Sequence, residues 1–179
     1  MNSLIIYGSQ YGTTERYAKR FSEIVHFPAV TYESVNDLAQ YGQIVYFGAL
    51  YAGGIKGLRK IIKILPNGVK LMIVTVGLAD VHDKENINNI RKAMAKQVPE
   101  NIMKSADIFH LRGGIDYQKL SFRHKTMMTL LYHKAKGLPE DKKTAEVNAM
   151  IETFNSKVDF VDYVSLDPVI EAFQQKLDF

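Results

Sequence analysis

Leu4–Tyr7 is an unbroken apolar run that stops at Gly8, and it predicts a buried strand. Behind it, Thr14–Val25 places Tyr17, Ala18, Phe21, Ile24 and Val25 at helical spacing. Ala29–Tyr32 predicts a weaker second strand, and Ile44–Phe47 before Gly48 a third. Gly57–Leu65 carries Leu58, Ile61, Ile62 and Leu65 on one helical face and is stopped by Pro66. Leu71–Val76 predicts a strand ending at Gly77, Glu85–Val98 a helix with Ile87, Ile90, Ala93, Met94 and Val98, and Ile108–Leu111 a strand before Gly113-Gly114. Strands alternating with helices predict right-handed βαβ units and a parallel sheet. Runs apolar on both faces suit a sheet covered by helices.

After Gly114 this rhythm breaks. About 40 residues pass before the next strand-like run, Val158–Val161, more than an ordinary connection requires. Leu166–Leu177 then predicts a closing helix with Val169, Ile170, Phe173 and Leu177 on one face. The pattern fits a single doubly wound α/β domain over 1–179 with an insertion at about 113–157 beside the last strand. A separate C-terminal domain of this size and composition would have a poor core.

Composition narrows the chemistry. With 46% hydrophobic and 23% charged residues, the 179-residue chain reads as an ordinary globular protein. It has no cysteine, which excludes disulfides, thiolate metal sites and thiol catalysis and leads one to expect a cytoplasmic home. Leu4–Tyr7 is too short for a signal-peptide core, and no run approaches the roughly 18–20 apolar residues of a membrane span. The formal net charge of +4 is localised. Gly113–Ala145 holds seven Lys/Arg against three acidic residues, and the remainder balances at sixteen of each. Neither a helix-turn-helix nor an RNA-binding signature accompanies this charge, so no nucleic acid is expected. The five histidines lack metal-ligand spacing, and no metal is expected.

Within the insertion, Met127, Leu130 and Leu131 fall on one side if the segment is helical, flanked by Arg123, Lys125, Lys134 and Lys136. Such a helix can pack its stripe on the sheet edge or meet an anionic membrane or substrate.

Three loops leave the ends of apolar strands, where an open α/β sheet binds ligands. Ser9-Gln10-Tyr11-Gly12-Thr13-Thr14 supplies hydroxyls, backbone amides and a glycine at a helix start, which suits a phosphate. The alternative is a plain helix cap by Thr13 or Thr14, with Glu15 in the first turn. The loop is neither a P-loop nor a dinucleotide Gly-x-Gly-x-x-Gly fingerprint. In the second loop, Gly48 to Gly54, the small residues Ala49, Ala52, Gly53 and Gly54 with Leu50 surround Tyr51. Tyr51 offers a stacking face for a flat ligand, or else sits in the core above a glycine turn. The third loop, Thr75-Val76-Gly77-Leu78-Ala79-Asp80, can give backbone hydrogen bonds to a planar ring, with Asp80 otherwise a cap or a solvated residue.

Together these loops resemble those of flavodoxins, which hold the phosphate of FMN after the first strand and flank its ring after the third and fourth. The leading Ser9, Gly12 and final Thr14 match, while Tyr11 stands where a small hydroxyl is usual. In length, first-loop pattern and the basic, aromatic-containing insertion, the chain further resembles the flavodoxin-domain family that includes menaquinone-dependent protoporphyrinogen IX dehydrogenase. It departs at Tyr51-Ala52-Gly53-Gly54, where that family tends to carry an Arg and an aromatic before the glycine. The resemblance implies a five-stranded parallel sheet of order 2-1-3-4-5 and FMN held by Ser9–Thr14, Ala49–Gly54, Thr75–Leu78 and Asp80. It also implies electron transfer between a small organic substrate and a quinone-like acceptor, with the flavin, not a catalytic side chain, carrying the chemistry. Two alternatives stay open: an electron carrier that docks on redox proteins, which the basic charge disfavours, and a flavin-free interaction protein. A peripheral contact with the inner face of the membrane through the insertion belongs to the first reading. In all FMN-binding versions the Tyr11 amide is expected to face the phosphate, with its ring turned away or over the rim.

Overall fold

The computed structural model describes residues 2–177, the last of them in backbone only, so the expected place of the Leu177 side chain on the closing helix lies outside the described part. Five parallel strands form the sheet: β1 (Ser3–Gly8), β2 (Ala29–Thr31), β3 (Gln43–Tyr51), β5 (Lys70–Gly77) and β6 (Asp107–Arg112), in the order β2-β1-β3-β5-β6. Among the parallel strands this is the expected order 2-1-3-4-5. A short antiparallel strand, β4 (Gly54–Ile55), folds back on the end of β3. The register places Ile5 beside Ala29 on one side and Val45 on the other, so the most apolar strands lie centrally.

Successive side chains of a strand point to opposite faces, and the two cores follow that alternation. Leu4, Ile6, Ile44, Tyr46, Leu71 and Ile73 face α2 (Leu58–Ile64) and α3 (Lys84–Ala95), where Leu58, Ile61 and Met94 complete the cluster. Ile5, Val45, Phe47, Met72 and Val74 face α1 (Thr13–Val25) and the closing helix α7 (Asp167–Leu177). On that side the Phe21 ring lies 5.4 Å from both Phe47 and Phe173.

Several elements differ from the sequence reading. The helix expected over Glu85–Val98 stops at Ala95, and a further short helix, α4 (Glu100–Ser105), starts after Pro99. Pro99 disfavours helical backbone at the residue before it, which separates the two. The strand expected at Val158–Val161 is β8 (Lys157–Asp159). It does not join the main sheet but pairs antiparallel with β7 (Gly114–Asp116) in a separate ribbon. Between the ribbon strands lie α5 (Phe122–Lys136) and α6 (Ala145–Glu152), which pack on each other.

The stripe expected on α5 is also rotated. Met128 and Ala135 are buried and Met127 is half-buried, whereas Leu130 is 67% exposed. The reason is the surface α5 meets. Its inner face lies against the site loops and the ribbon, in a third cluster of Ile115, Tyr117 and Met128 that also takes in Tyr11, Leu78, Met150 and Phe154.

Candidate functional site

The carboxyl ends of β1, β3 and β5 bring the three loops to one edge of the sheet. The first loop turns tightly out of β1, because Gly8 lies against the Lys56 carbonyl and the Tyr46 hydroxyl with no room for a Cβ. Ser9 Oγ accepts from the Gly12 amide (3.1 Å), and Gly12 takes a left-handed conformation (φ 92°) that favours glycine. Gly12, not Thr13 or Thr14, is the cap residue of α1, and no side chain caps this end. The plain-cap alternative therefore falls: the first amides of α1 are left without a side-chain acceptor.

Lys56 Nζ reaches the loop from the chain after β4 and donates to the Ser9 carbonyl (2.9 Å) and to Gln10 Oε1 (2.6 Å). Gln10 Nε2 in turn lies 3.0 Å from His124 Nε2 of α5. A cation and a histidine thus stand beside the hydroxyl loop. Neither was marked by sequence reasoning, since both are distant in the chain. The Tyr11 ring lies edge-on to His124, and its hydroxyl donates to Met128 Sδ (3.2 Å). Burial, with Tyr51 and Tyr117 nearby, pushes its phenol well above the ordinary tyrosine range. Tyr11 lines the cleft and packs into the insertion's cluster.

The second loop is a hairpin rather than an open glycine turn. Tyr51 pairs with Gly54 across Ala52 (φ 50°) and Gly53 (φ 75°), the positive-φ pair of a tight two-residue turn. Gln97, just after the end of α3, pins it, accepting from the Ile55 amide (2.8 Å) and donating to its carbonyl (3.4 Å). The Tyr51 hydroxyl donates to Met127 Sδ (2.9 Å), so both site tyrosines touch the methionines of α5.

In the third loop, Thr75 turns away from the site: its buried hydroxyl lies 2.7 Å from His110 Nδ1. Asp80 is exposed and accepts from the amide of His82 (2.8 Å), while Asp83 caps α3. The Leu78 and Ala79 amides, which do face the site, donate to the two oxygens of Glu146 on α6 (2.9 and 3.0 Å). Arg112 Nε donates to the Leu78 carbonyl (2.8 Å), and its guanidinium stacks 3.8 Å over Phe160.

These loops open on a cleft of about 600 Å³. One wall is Tyr11, Leu50, Tyr51, Ala52, Gly53, Gly54 and Leu78, and a second is Asn86, Asn89, Ile90 and Ala93 of α3. The third is the insertion, through Met128, Leu131, Ala135, Leu138, Val147 and Met150, with Lys134 and Glu146 at its polar points. A smaller recess of about 50 Å³ lies alongside, bounded by Tyr11, Thr13, Thr14, Ala49, Leu50, Val76, Gly77, Leu78, Gly113 and Glu146. Of the expected residues, Ser9, Gln10, Gly12, Thr75 and Asp80 line neither space, and Ser9 and Gln10 are instead held by Lys56. Among the described residues no group of three metal-ligating side chains comes together, and no helix is long and apolar enough to cross a membrane.

The flavodoxin domain family matches residues 4–142, most of the chain and all three loops. The chain belongs to the flavodoxin domain family. Solved structures with a loosely similar course include two variants of one flavodoxin and one other flavoprotein. A cysteine-to-serine variant of flavodoxin from Pseudomonas aeruginosa is 15% identical, with a TM-score of 0.42 over 63% of this chain and 84% of the other. The corresponding cysteine-to-alanine variant is 16% identical, with a TM-score of 0.38 over 76% and 97%. A flavoprotein of Lactobacillus acidophilus in complex with FMN is 10% identical, with a TM-score of 0.39 over 62% and 91%. No curated protein sequence matches the chain. At these scores the likeness is loose, and it is the strand order that establishes the flavodoxin-like fold. This flavodoxin domain differs from a bare sheet-and-helix core in that its insertion forms one whole wall of the site.

Proposed function

We propose that the protein binds FMN and acts as an oxidoreductase, passing electrons between a flat organic substrate and a quinone-like acceptor. The residues present fit the cofactor. Hydroxyls of Ser9, Thr13 and Thr14, the uncapped amides of α1 and the nearby Lys56 ammonium suit its phosphate. The apolar faces of Tyr51, Leu50 and Leu78 suit a flat ring, and the Leu78 and Ala79 amides are donors for its polar rim. When bound, FMN supplies the electron chemistry, taking up and handing on electrons one or two at a time. The chain's own part is to hold the phosphate, to keep water from the ring with the methionine-backed tyrosines, and to orient a second molecule. No side chain is assigned as acid or base.

The observation that carries the enzyme reading over the carrier reading is the cleft. Its roughly 600 Å³ is walled by the insertion on the side where a simple carrier would present its ring edge to a partner. The sharpest version is a protoporphyrinogen IX dehydrogenase using menaquinone, with Lys134 at the cleft and the basic face of α5 available to substrate carboxylates. In this version the protein works at the cytoplasmic face of a membrane. The outer side of α5 supports that placement: Phe122 is 85% and Leu130 67% exposed, with Arg123 and Lys125 exposed in the same helix.

The test is direct. Purified protein should be yellow or take up added FMN, and release FMN on denaturation. It should also oxidise protoporphyrinogen with a menaquinone analogue, and lose that turnover but not the flavin when Tyr117–Lys143 is replaced by a short linker. A colourless protein that ignores added FMN refutes the flavin reading. Flavin binding with electron exchange to protein partners only, and no small-molecule turnover, makes it a carrier.

A further inference from the structure

Glu146 stands in the first turn of α6, behind the cap residue Thr144, whose hydroxyl accepts from the Val147 amide (3.3 Å). Its two carboxylate oxygens accept the adjacent amides of Leu78 (2.9 Å) and Ala79 (3.0 Å). The same group lies over Gly77, where a Cβ would come within 3.0 Å of it. It belongs to the linings of both the large cleft and the small recess, so it is part of the partition between them. Among the described residues no lysine, arginine or histidine forms an ion pair with it. A half-buried anion is therefore held by two backbone donors, between the Thr13–Thr14 hydroxyls and the Tyr51–Leu78 wall.

We propose that Glu146 is a displaceable stopper in the flavin seat. The idea rests on the FMN reading above. A carboxylate on two backbone N–H groups makes the same kind of contact that the carbonyl rim of a flavin ring makes, and one pair of amides cannot serve both fully. A ring joined to a phosphate at Thr13–Thr14 has to cross the partition that this side chain helps to form. Entry of the ring then releases Glu146. Because Glu146 is carried by α6, release also loosens the seating of the insertion on the third loop. By reciprocity, a firmly seated insertion weakens FMN, and FMN unseats the insertion. The insertion thus reports on, and regulates, the loading of the site.

FMN titrations followed by quenching of flavin fluorescence, on wild type, E146Q and E146A, test this. Glutamine keeps one acceptor and alanine none, so affinity should rise in the order wild type, E146Q, E146A, with alanine about tenfold tighter than wild type or better. Hydrogen exchange supplies a readout independent of affinity: FMN should speed exchange of the α6 amides in wild type while Leu78 and Ala79 stay protected. Circular dichroism checks folding, and the near-isosteric E146Q carries the test if E146A does not fold. Equal or weaker FMN binding by both variants, or α6 exchange indifferent to FMN, overturns the stopper while the flavin reading stands. If neither wild type nor variants bind FMN, the flavin reading fails and the stopper falls with it.

Discussion

His110 is half-buried on β6 with Nδ1 against the Thr75 hydroxyl, while its Nε2 has no hydrogen-bond partner among the described residues. Burial, and secondly the positive charge of Arg91, lowers its pKa to about 4. In the unfolded chain an ordinary histidine protonates near 6.5. As pH falls, the unfolded state therefore takes up the proton first, and stability that is intact above about 6.5 is lost progressively toward pH 4. Denaturant midpoints measured from pH 7 to 4.5 should fall for the wild type, and H110Q should flatten that slope by on the order of 1 kcal/mol, discounted for the partly open ring. Ala52 is a second single-residue case. A side chain at φ 50° in a two-residue turn is strained, so A52G should leave the fold intact and raise stability by up to about 1 kcal/mol in urea unfolding. At this scale Ser9–Thr14 and Tyr51 could be marked from the sequence, because strand ends and hydroxyl or glycine clusters are local signals. Lys56 and Glu146 could not. They reach the site from 46 and 68 residues away from their partners, and nothing adjacent to them in the chain encodes that contact.

Among the elements, the central strands and the helices α1, α2 and α7 were legible because each carries an apolar period long enough to exclude its rivals. β7 and α4 were not, and the run at Val158–Val161 marked β8 without its exact bounds or its pairing. Gly114–Asp116 and Lys157–Asp159 are three residues each, and Glu100–Ser105 is a single polar turn and a half, so no period can establish itself. The face of α5 was misjudged for a related reason: methionine, leucine and lysine stems occur on every side of it, and the buried side is chosen by the loops it meets. That choice has a consequence at Leu130. L130E should change stability by no more than about 0.5 kcal/mol, since the side chain is mostly exposed. The same substitution should weaken sedimentation with anionic phosphatidylglycerol vesicles if the outer face of α5 meets a membrane, and leave it unchanged if that face is simply solvated. By contrast F21A, in the aromatic contact with Phe47 and Phe173, should cost about 3–5 kcal/mol.

At the scale of the whole molecule, the chain on either side of the insertion is tied to α1. The Tyr17 hydroxyl donates to the Arg112 carbonyl and accepts from the Asp162 amide, both at 2.9 Å, and Arg16 pairs with Asp159 at 2.7 Å. Tyr11 and Leu78 belong at once to the site and to the insertion's own cluster. The chain should therefore unfold in one transition, with far-ultraviolet and aromatic signals coincident, and FMN at a hundredfold excess over its Kd should add about 2.7 kcal/mol. Two separated transitions would assign the insertion its own unit. The doubly wound architecture and the edge at which the loops meet were readable in the chain, and the strand order came only through the resemblance to flavodoxins. Apolar runs on both faces require helices on both sides, and right-handed crossovers leave few ways to arrange them. The third wall of the cleft was not readable. It is made when an insertion without strong periodicity settles on loops far from it in sequence, placing Met127, Met128 and Glu146 against Tyr51, Tyr11 and Leu78. Contacts of that kind depend on shape and donor geometry in three dimensions, which hydrophobic periodicity along a chain does not carry.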